Sequence, residues 1–260
     1  MPAFWESFIG STPTSHPFVM FSQQHYNVLI ISAVCIMLSL YLCKHSSEKV
    51  NRYIRYSVAA FILAMELLFQ YWHIHIGNFD IGRDLPFDLC TITQMIIIVL
   101  MLKPNRYWSQ IMVFWAFSGA LQALLTPGFE YAYNFPHFRF FNYFVCHALI
   151  IWSACYFVYI QGFRPQFKSM VRSFFWLNVL ALIVTIVNLL TNGNYMFLCF
   201  TPPTGSLLDY FGPWPWYILG SELMAAVMFA VIYSPFAAYD YAKKRYSSSA
   251  QDDDAHRSTR

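Results

Sequence analysis

Apolar residues along this chain gather into seven long runs that are separated by short polar connections. The runs occupy roughly 27–43, 54–76, 87–102, 107–125, 138–160, 170–190 and 215–238. A helix needs about 20 mostly apolar residues to cross a bilayer. The run at 87–102 is short for a span unless the preceding "LPFD" is already helical. The pattern predicts an all-α polytopic membrane protein with seven transmembrane helices.

Short connections between the runs indicate one transmembrane domain, residues 27–240. Residues 1–26 are predicted to form an extracytoplasmic segment. The polar, low-complexity residues 241–260 are predicted to form a disordered cytoplasmic tail. The first run is not preceded by basic residues or followed by a small-residue cleavage site, so it is predicted to be a retained helix rather than a signal peptide.

The charged residues determine the predicted orientation. The chain is 58% hydrophobic and only 11% charged, whereas about a quarter of the residues are charged in a soluble domain. Of its 16 Lys and Arg residues, all except Arg83 and Arg139 lie in the odd-numbered connections, within the first three residues of the runs that follow them, or in the tail. Because positive residues mark the cytoplasmic side, the N-terminus is predicted to be outside and the C-terminus inside. The net charge of +3 follows from this topology and does not indicate a nucleic-acid partner.

Polar side chains inside the spans form the predicted site. Such groups are costly in lipid and usually face the bundle interior or a wet cavity. With the predicted topology most of them lie in the outer half of the membrane, which indicates a cavity that opens outward. The alternative is a bundle without a site, in which interhelical hydrogen bonds account for the amides. The candidate residues for lining a cavity or binding a substrate are Glu66, His73, Arg83, Asp88, Gln94, Gln122, Arg139, Asn188 and Glu222.

Cys90 stands at the outer mouth of the third run, at the end of "RDLPFDLC". If Asp84 caps this helix, Cys90 lies in its second turn, where the helix dipole gives a thiolate modest help. His147 is the one histidine deep in a predicted span. A cysteine and a histidine are the minimal pair for acyl transfer, because the thiolate attacks an ester while the imidazole moves the proton. A buried amide, Gln94, Gln122 or Asn188, would then hold the oxyanion.

Other interpretations of these residues remain open. Cys90 is also consistent with an apolar filler or with a disulfide to Cys199, which is on the same predicted side. His147 is also consistent with an ordinary polar contact. His73 and His75 are two residues apart and therefore point away from each other on a helix. Neither a metal site nor a cofactor is predicted.

Five short motifs support a resemblance. "LPFDLC", "ALQALLTP", "FPHFRFFNYFVCH", "NYMFL" and "PWPWY" occur in this order between Leu85 and Tyr217. The series resembles the YwaF family of bacterial integral membrane proteins, whose eukaryotic relatives include an acyltransferase that remodels ether phospholipids. The resemblance implies a multi-pass protein of the bacterial plasma membrane. It also implies that the family's site cysteine and histidine fall on Cys90 and His147.

The functional hypothesis is a thiol-dependent phospholipid acyltransferase or lipid hydrolase that acts in the outer leaflet. Its partners are membrane lipids, and Arg83 and Arg139 are cations placed to meet a lipid phosphate. No protein partner is predicted. The alternative is a transporter or flippase with the same outward cavity, in which Glu66 and Glu222 serve as proton or cation sites.

Overall fold

The computed structural model describes residues 2–12, 14–128, 133–202 and 207–258, and within these ranges it describes side chains except at 2–4, 207 and 246–258. This part of the chain contains helices and no strands. The α-helices are α1 (Pro2–Ile9), α2 (Gln23–His45), α3 (Glu48–His75), α4 (Leu89–Leu102), α5 (Arg106–Trp115), α6 (Leu121–Leu125), α7 (Phe138–Tyr159), α8 (Phe167–Thr191) and α9 (Trp216–Ser258). A π-helical turn, Ala116–Ala120, joins α5 to α6, and 3-10 turns occupy Tyr195–Phe197 and Leu207–Phe211.

Six helical stretches in the described residues are long and apolar enough to cross a membrane. They are α2, α3, α7, α8, the first 30 residues of α9, and Arg106–Leu125, which comprises α5, the π-helical turn and α6. Helix α4 is apolar but has only 14 residues. The all-helical prediction is confirmed, whereas the seventh span and the orientation of the termini stay predictions.

Helix α4 is short because it begins later than the sequence predicts. Asp88, and not Asp84, takes the N-cap position, with φ −71° and ψ 150°. The first helical hydrogen bond runs from the amide of Ile92 to the carbonyl of Asp88 at 2.9 Å. Pro86 disfavours helical geometry at Leu85, so "LPFD" forms a turn outside the helix.

Helix α7 is the centre of the bundle and packs against α2, α3, α4, α5, α6 and the π-helical turn. Its buried face includes Tyr143, Phe144 and Ile150, which belong to the main apolar core. A second apolar cluster joins α5, α8 and α9 through residues such as Phe114, Leu177 and Phe229. Side chains on the inner face of α7 are therefore enclosed by other helices and not by lipid.

Three connections lie at one end of the bundle: α3–α4, α6–α7 and α8–α9. We call this the outer end, because the sequence predicts it to be extracytoplasmic. Helix α1 and its following turn also pack there. The indole of Trp72 donates to the carbonyl of Ile9 at 2.8 Å, and the hydroxyl of Tyr133 donates to the carbonyl of Ser11 at 3.1 Å.

At the opposite end, α9 continues to Ser258. The segment 241–260, for which the composition predicts disorder, thus has a helical backbone as far as Ser258. Arg164, between α7 and α8, holds this helix: its Nη1 lies 2.6 Å from Oδ1 of Asp240, and its guanidinium lies 4.7 Å from the ring centroid of Tyr239. The Lys, Arg and Ala residues that follow have good helix propensity, which favours continuation of the helix.

Candidate functional site

Cys90 is the second residue of α4 and so lies in its first turn, not in the second turn that the sequence predicts. The partial positive charge of a helix N-terminus is strongest in this turn and favours a thiolate, whereas burial and the nearby carboxylate of Asp88 oppose it. Activation of the thiol therefore needs a base. Cys90 and Cys199 are both outside any disulfide, as are the other four cysteines of the chain. The Cys90–Cys199 disulfide is therefore not formed in this structure.

The π-helical turn packs directly against Cys90. A Cβ atom placed on Gly119 would lie 3.4 Å from Cys90 Sγ and 3.7 Å from a methyl group of Leu89. The absence of a side chain at Gly119 thus allows close approach of the two helices beside the thiol. Turns of this kind often occur at functional sites, and sequence reasoning did not find this one because a single inserted residue hardly alters the apolar pattern.

His147 is half-buried on α7, and one of its ring nitrogens is engaged. Nδ1 lies 2.7 Å from the carbonyl oxygen of Tyr143. Because a carbonyl oxygen only accepts hydrogen bonds, Nδ1 carries the proton and Nε2 is the acceptor of the neutral ring. A general base requires this tautomer if it is to take a proton through Nε2. Helices α4 and α7 pack against each other, and the direct approach of Cys90 to His147 stays a prediction.

Arg139 links three of the predicted site residues. It lies near the outer end of α7, with its guanidinium 4.7 Å from the ring centroid of Phe69 on α3. Its charge interacts with Glu66 of α3, Asp88 at the start of α4 and His147 of α7. The sequence identified Arg139 as an outer cation, and the packing of α3 against α7 adds its contact with Phe69.

Two amides that the sequence analysis left out of the site support this cluster. Nε2 of Gln70 donates to Oε1 of Glu66 and to the carbonyl of Asp84, both at 2.8 Å. Nδ2 of Asn142 donates to the carbonyl of Met65 at 3.3 Å. The i, i+4 spacing predicts that Gln70 shares the polar helical face of Glu66, although Gln70 was not among the predicted site residues.

His73 and Arg83 belong to a separate ionic cluster centred on Asp84. Nε and Nη2 of Arg83 bind the two carboxylate oxygens of Asp84 at 2.9 and 3.0 Å. Nδ1 of His73 lies 3.5 Å from the same carboxylate, and the amide of Asp80 donates to it at 2.8 Å. Asp84 is buried and organises the α3–α4 connection, so it is a structural residue here and not a helix cap.

Asn188 holds the α8–α9 connection against the bundle. Its side chain donates to the carbonyl of Tyr195 at 3.0 Å and accepts from the amide of Tyr195 at 2.8 Å. The hydroxyl of Tyr195 in turn donates to the carbonyl of Ile81 at 2.7 Å and accepts from the amide of Leu85 at 2.9 Å. Burial raises the pKa of Tyr195 to about 12, so the hydroxyl stays protonated and keeps both hydrogen bonds.

The same connection reaches the start of α4, where the amide of Met196 donates to Oδ1 of Asp88 at 3.1 Å. Asp88 therefore binds backbone beside Cys90. The sequence predicts that the apolar segment 191–213 packs over the bundle and does not extend into water. The contacts of Tyr195 and Met196 confirm this for that part of the segment, whereas Phe200 and Tyr210 are exposed.

The remaining predicted residues differ in their surroundings. Gln94 is buried on α4, one helical turn from Cys90. Gln122 on α6 is exposed. Oε2 of Glu222 accepts from Nδ2 of Asn178 at 3.0 Å, in a pair that joins α9 to α8. Gln94 is thus the predicted oxyanion amide that lies on the same helix as Cys90. Among the described residues, no group of three or more His, Cys, Asp or Glu is placed to hold a metal ion.

Comparison with known proteins assigns the chain to a family. The model of the TMEM164 family matches residues 20–233. The chain belongs to the TMEM164 family. No curated protein and no solved structure gives a significant match. Family membership and the six candidate spans make it a multi-pass membrane protein, whereas the YwaF assignment, bacterial origin and plasma-membrane location stay predictions.

This TMEM164-family protein also has two cavities at the outer end of α9. One, of about 460 Å³, is lined in part by Cys199, Thr201, Asp209 and Trp214. The other, of about 370 Å³, lies between α8 and the first turn of α9. Neither is lined by Cys90 or His147.

Proposed function

We propose that this TMEM164-family protein transfers acyl chains between membrane phospholipids through Cys90 and His147. The proposal rests on a free thiol and an imidazole with an available acceptor nitrogen, which lie on the contacting helices α4 and α7. Cys90 is a thiol in the first turn of α4, and His147 presents Nε2 as an acceptor because Nδ1 binds the carbonyl of Tyr143.

In the first step the Cys90 thiol attacks the ester carbonyl of a donor phospholipid. The S–H proton passes to Nε2 of His147, an S–C bond forms, and the carbonyl oxygen becomes an oxyanion. Collapse of this intermediate breaks the ester C–O bond, and His147 returns the proton to the departing lysophospholipid. Cys90 then carries the acyl chain as a thioester.

In the second step the hydroxyl of a lysophospholipid attacks the thioester. Nε2 of His147 takes the hydroxyl proton and the new C–O bond forms; the thioester C–S bond then breaks, and the proton returns to the sulfur of Cys90. If water attacks instead, the product is a fatty acid and the net reaction is hydrolysis. The charge of Arg139 and the amide of Gln94 are the groups we assign to stabilising the oxyanion.

The transporter alternative has less support from the contacts of the two glutamates. Glu66 bonds to Gln70 within α3, whereas Glu222 bonds to Asn178 across α8 and α9. Glu66 therefore bonds within one helix and Glu222 between two others, so their contacts do not join the two carboxylates into one path.

The test uses purified protein in vesicles that contain a phospholipid with a labelled acyl chain and an unlabelled lysophospholipid. We expect label to move to the acceptor and a hydroxylamine-sensitive acyl group to appear on Cys90. Cys90→Ala and His147→Ala should each lower transfer by at least about 100-fold. Cys155→Ala, a half-buried cysteine elsewhere on α7, is the matched control and should retain transfer.

Two results would contradict the proposal. Transfer that persists in Cys90→Ala would remove the nucleophile from the mechanism. Movement of intact labelled lipid between leaflets, without transfer of the acyl chain and unaffected by Cys90→Ala, would establish the transporter alternative.

A further inference from the structure

An apolar groove of about 370 Å³ lies at the outer ends of α8 and α9, apart from the residues of the proposed chemistry. Its walls come from α8, the α8–α9 connection and the first turn of α9. The lining residues include Thr185 of α8, Leu198 and Trp214 of the connection, and Trp216, Ile218 and Leu219 of α9. The volume is within the range of about 300–1,000 Å³ that is typical of small-molecule pockets.

The polar atoms of two lining residues are already bonded to the protein. The hydroxyl of Thr185 donates to the carbonyl of Ala181 at 2.8 Å. The indole of Trp214 donates to the carbonyl of Leu198 at 3.2 Å. The other walls are mainly aliphatic and aromatic carbon. The groove therefore suits a hydrocarbon ligand and not one that requires several hydrogen bonds.

The distance of the groove from the outer helix ends indicates what surrounds it. Thr185 lies six residues before the outer end of α8, or about 9 Å at the rise of an α-helix. Leu219 lies three residues after the start of α9, or about 4.5 Å on the same rise. Trp216 and Leu219 are each 62% exposed. Since α8 and α9 are candidate membrane spans, we expect these side chains to face lipid chains just below the predicted outer surface of the membrane.

The larger cavity beside the groove is different in character. It shares Trp214 with the groove, but it is also lined by Thr201 and Asp209. An apolar groove at membrane depth that adjoins a polar cavity through one tryptophan is complementary to an amphiphile. Tryptophan is also the side chain that favours the boundary between hydrocarbon and head groups.

We propose that the groove is a binding site for one hydrocarbon chain of a bilayer phospholipid. The chain lies between α8 and α9, and the polar part of the lipid lies toward the cavity of Thr201 and Asp209. This site does not depend on acyl transfer at Cys90.

The probe is phosphatidylcholine with a photoactivatable diazirine in one acyl chain, at low abundance in vesicles of unlabelled phosphatidylcholine that hold the full-length protein. Adducts are mapped by mass spectrometry. We expect adducts at 214–219 that fall when unlabelled lipid with the same chain is added. Adducts at Leu189 and Leu190, which are 73% and 79% exposed on α8 but do not line the groove, should only follow the dilution of the probe.

Filling the groove tests its geometry. Thr185→Phe and Leu219→Trp should each lower the competable adducts at 214–219 by at least about tenfold, which corresponds to about 1.4 kcal/mol. Ile186→Phe is the control, because this neighbouring side chain is 53% exposed and lies outside the groove. Leu219→Trp changes an exposed position, so it keeps the test informative if Thr185→Phe does not fold.

Adducts at 214–219 that only follow dilution, or that both folded filling variants leave unchanged, would overturn the site. Cys90→Ala should label like the unchanged protein. Loss of competable labelling with acyl transfer intact would refute the groove alone, and loss of transfer with labelling intact would refute the proposed function alone.

Discussion

Replacing Asn188 with alanine should release the α8–α9 connection from the bundle. The Asn188 side chain is 1% exposed and makes two hydrogen bonds to the backbone of Tyr195, at 3.0 and 2.8 Å. Asn188→Ala removes both and leaves a buried N–H and a buried C=O without these partners. Leaving one such group unsatisfied costs about 1–3 kcal/mol, so the two together should cost about 2–6 kcal/mol.

This loss should be local because the affected bonds hold one connection and not the helices. Hydrogen exchange followed by mass spectrometry reports the opening of the Tyr195 amide. If opening and closing are fast compared with exchange, lowering the free energy of opening by about 2 kcal/mol raises the exchange rate at 194–198 by about 30-fold. The interior of α7 should exchange at its original rate.

Asn178→Ala is the matched control for this experiment. Asn178 is also an amide of α8, but it is exposed and bonds to Phe174 and Glu222. It should leave exchange at 194–198 unchanged. If Asn188→Ala and Asn178→Ala give the same exchange in this segment, the Asn188–Tyr195 bonds do not hold the connection in place.

Three further predictions follow from close contacts, packing and charge. Gly193→Ala should destabilise the outer end strongly, because its Cβ would lie 2.5 Å from the carbonyl oxygen of Gly82; a thermal midpoint no lower than that of Gly128→Ala, where nothing lies within 4 Å, would contradict this. Gly119→Leu should lower acyl transfer by overlap with Cys90, whereas Gly119→Ala should fold normally; equal transfer in the two variants would separate the π-helical turn from the site. Burial holds the pKa of His137 below its ordinary value in the folded protein. As the pH falls through about 6.5, the imidazole is therefore protonated first in the unfolded chain, and the stability of the folded protein should fall. A thermal midpoint with the same pH dependence in His137→Asn would refute this role.

The sequence was a good guide to the helices and a weaker guide to their ends. Each of the seven apolar runs corresponds to one helical stretch, because membrane-spanning helices must satisfy their backbone internally and bury few polar groups. The start of α4 was misplaced by four residues, from Asp84 to Asp88. Asp, Pro and Asp in close succession offer competing starts. Pro86 disfavours the earlier start, and Asp84 is held by its neighbour Arg83 and by His73 of α3.

The candidate site was predictable in its residue types but not in its neighbours. Cys90 and His147 were chosen as candidates for their chemistry, a thiol near the start of a span and an imidazole deep inside one, and their role as a pair stays a prediction. The interaction of Arg139 with Glu66, and the approach of Gly119 to Cys90, depend on the relative rotation of helices. A one-dimensional pattern gives the polar face of each helix but not the face of its partner.

The length of α4 has a consequence for the bilayer itself. Fourteen residues cover about 21 Å, whereas the hydrocarbon core is about 30 Å thick. Lys103 follows α4 directly. If α4 is the predicted seventh span and Lys103 anchors its inner end among head groups, Cys90 lies below the outer surface of an unperturbed membrane. Lipid that contacts α4 would then adapt by local thinning, at a cost of a fraction of a kcal/mol per ångström. Hydrophobic mismatch would thus bring lipid ester groups down to the thiol, and thinner membranes should favour their encounter.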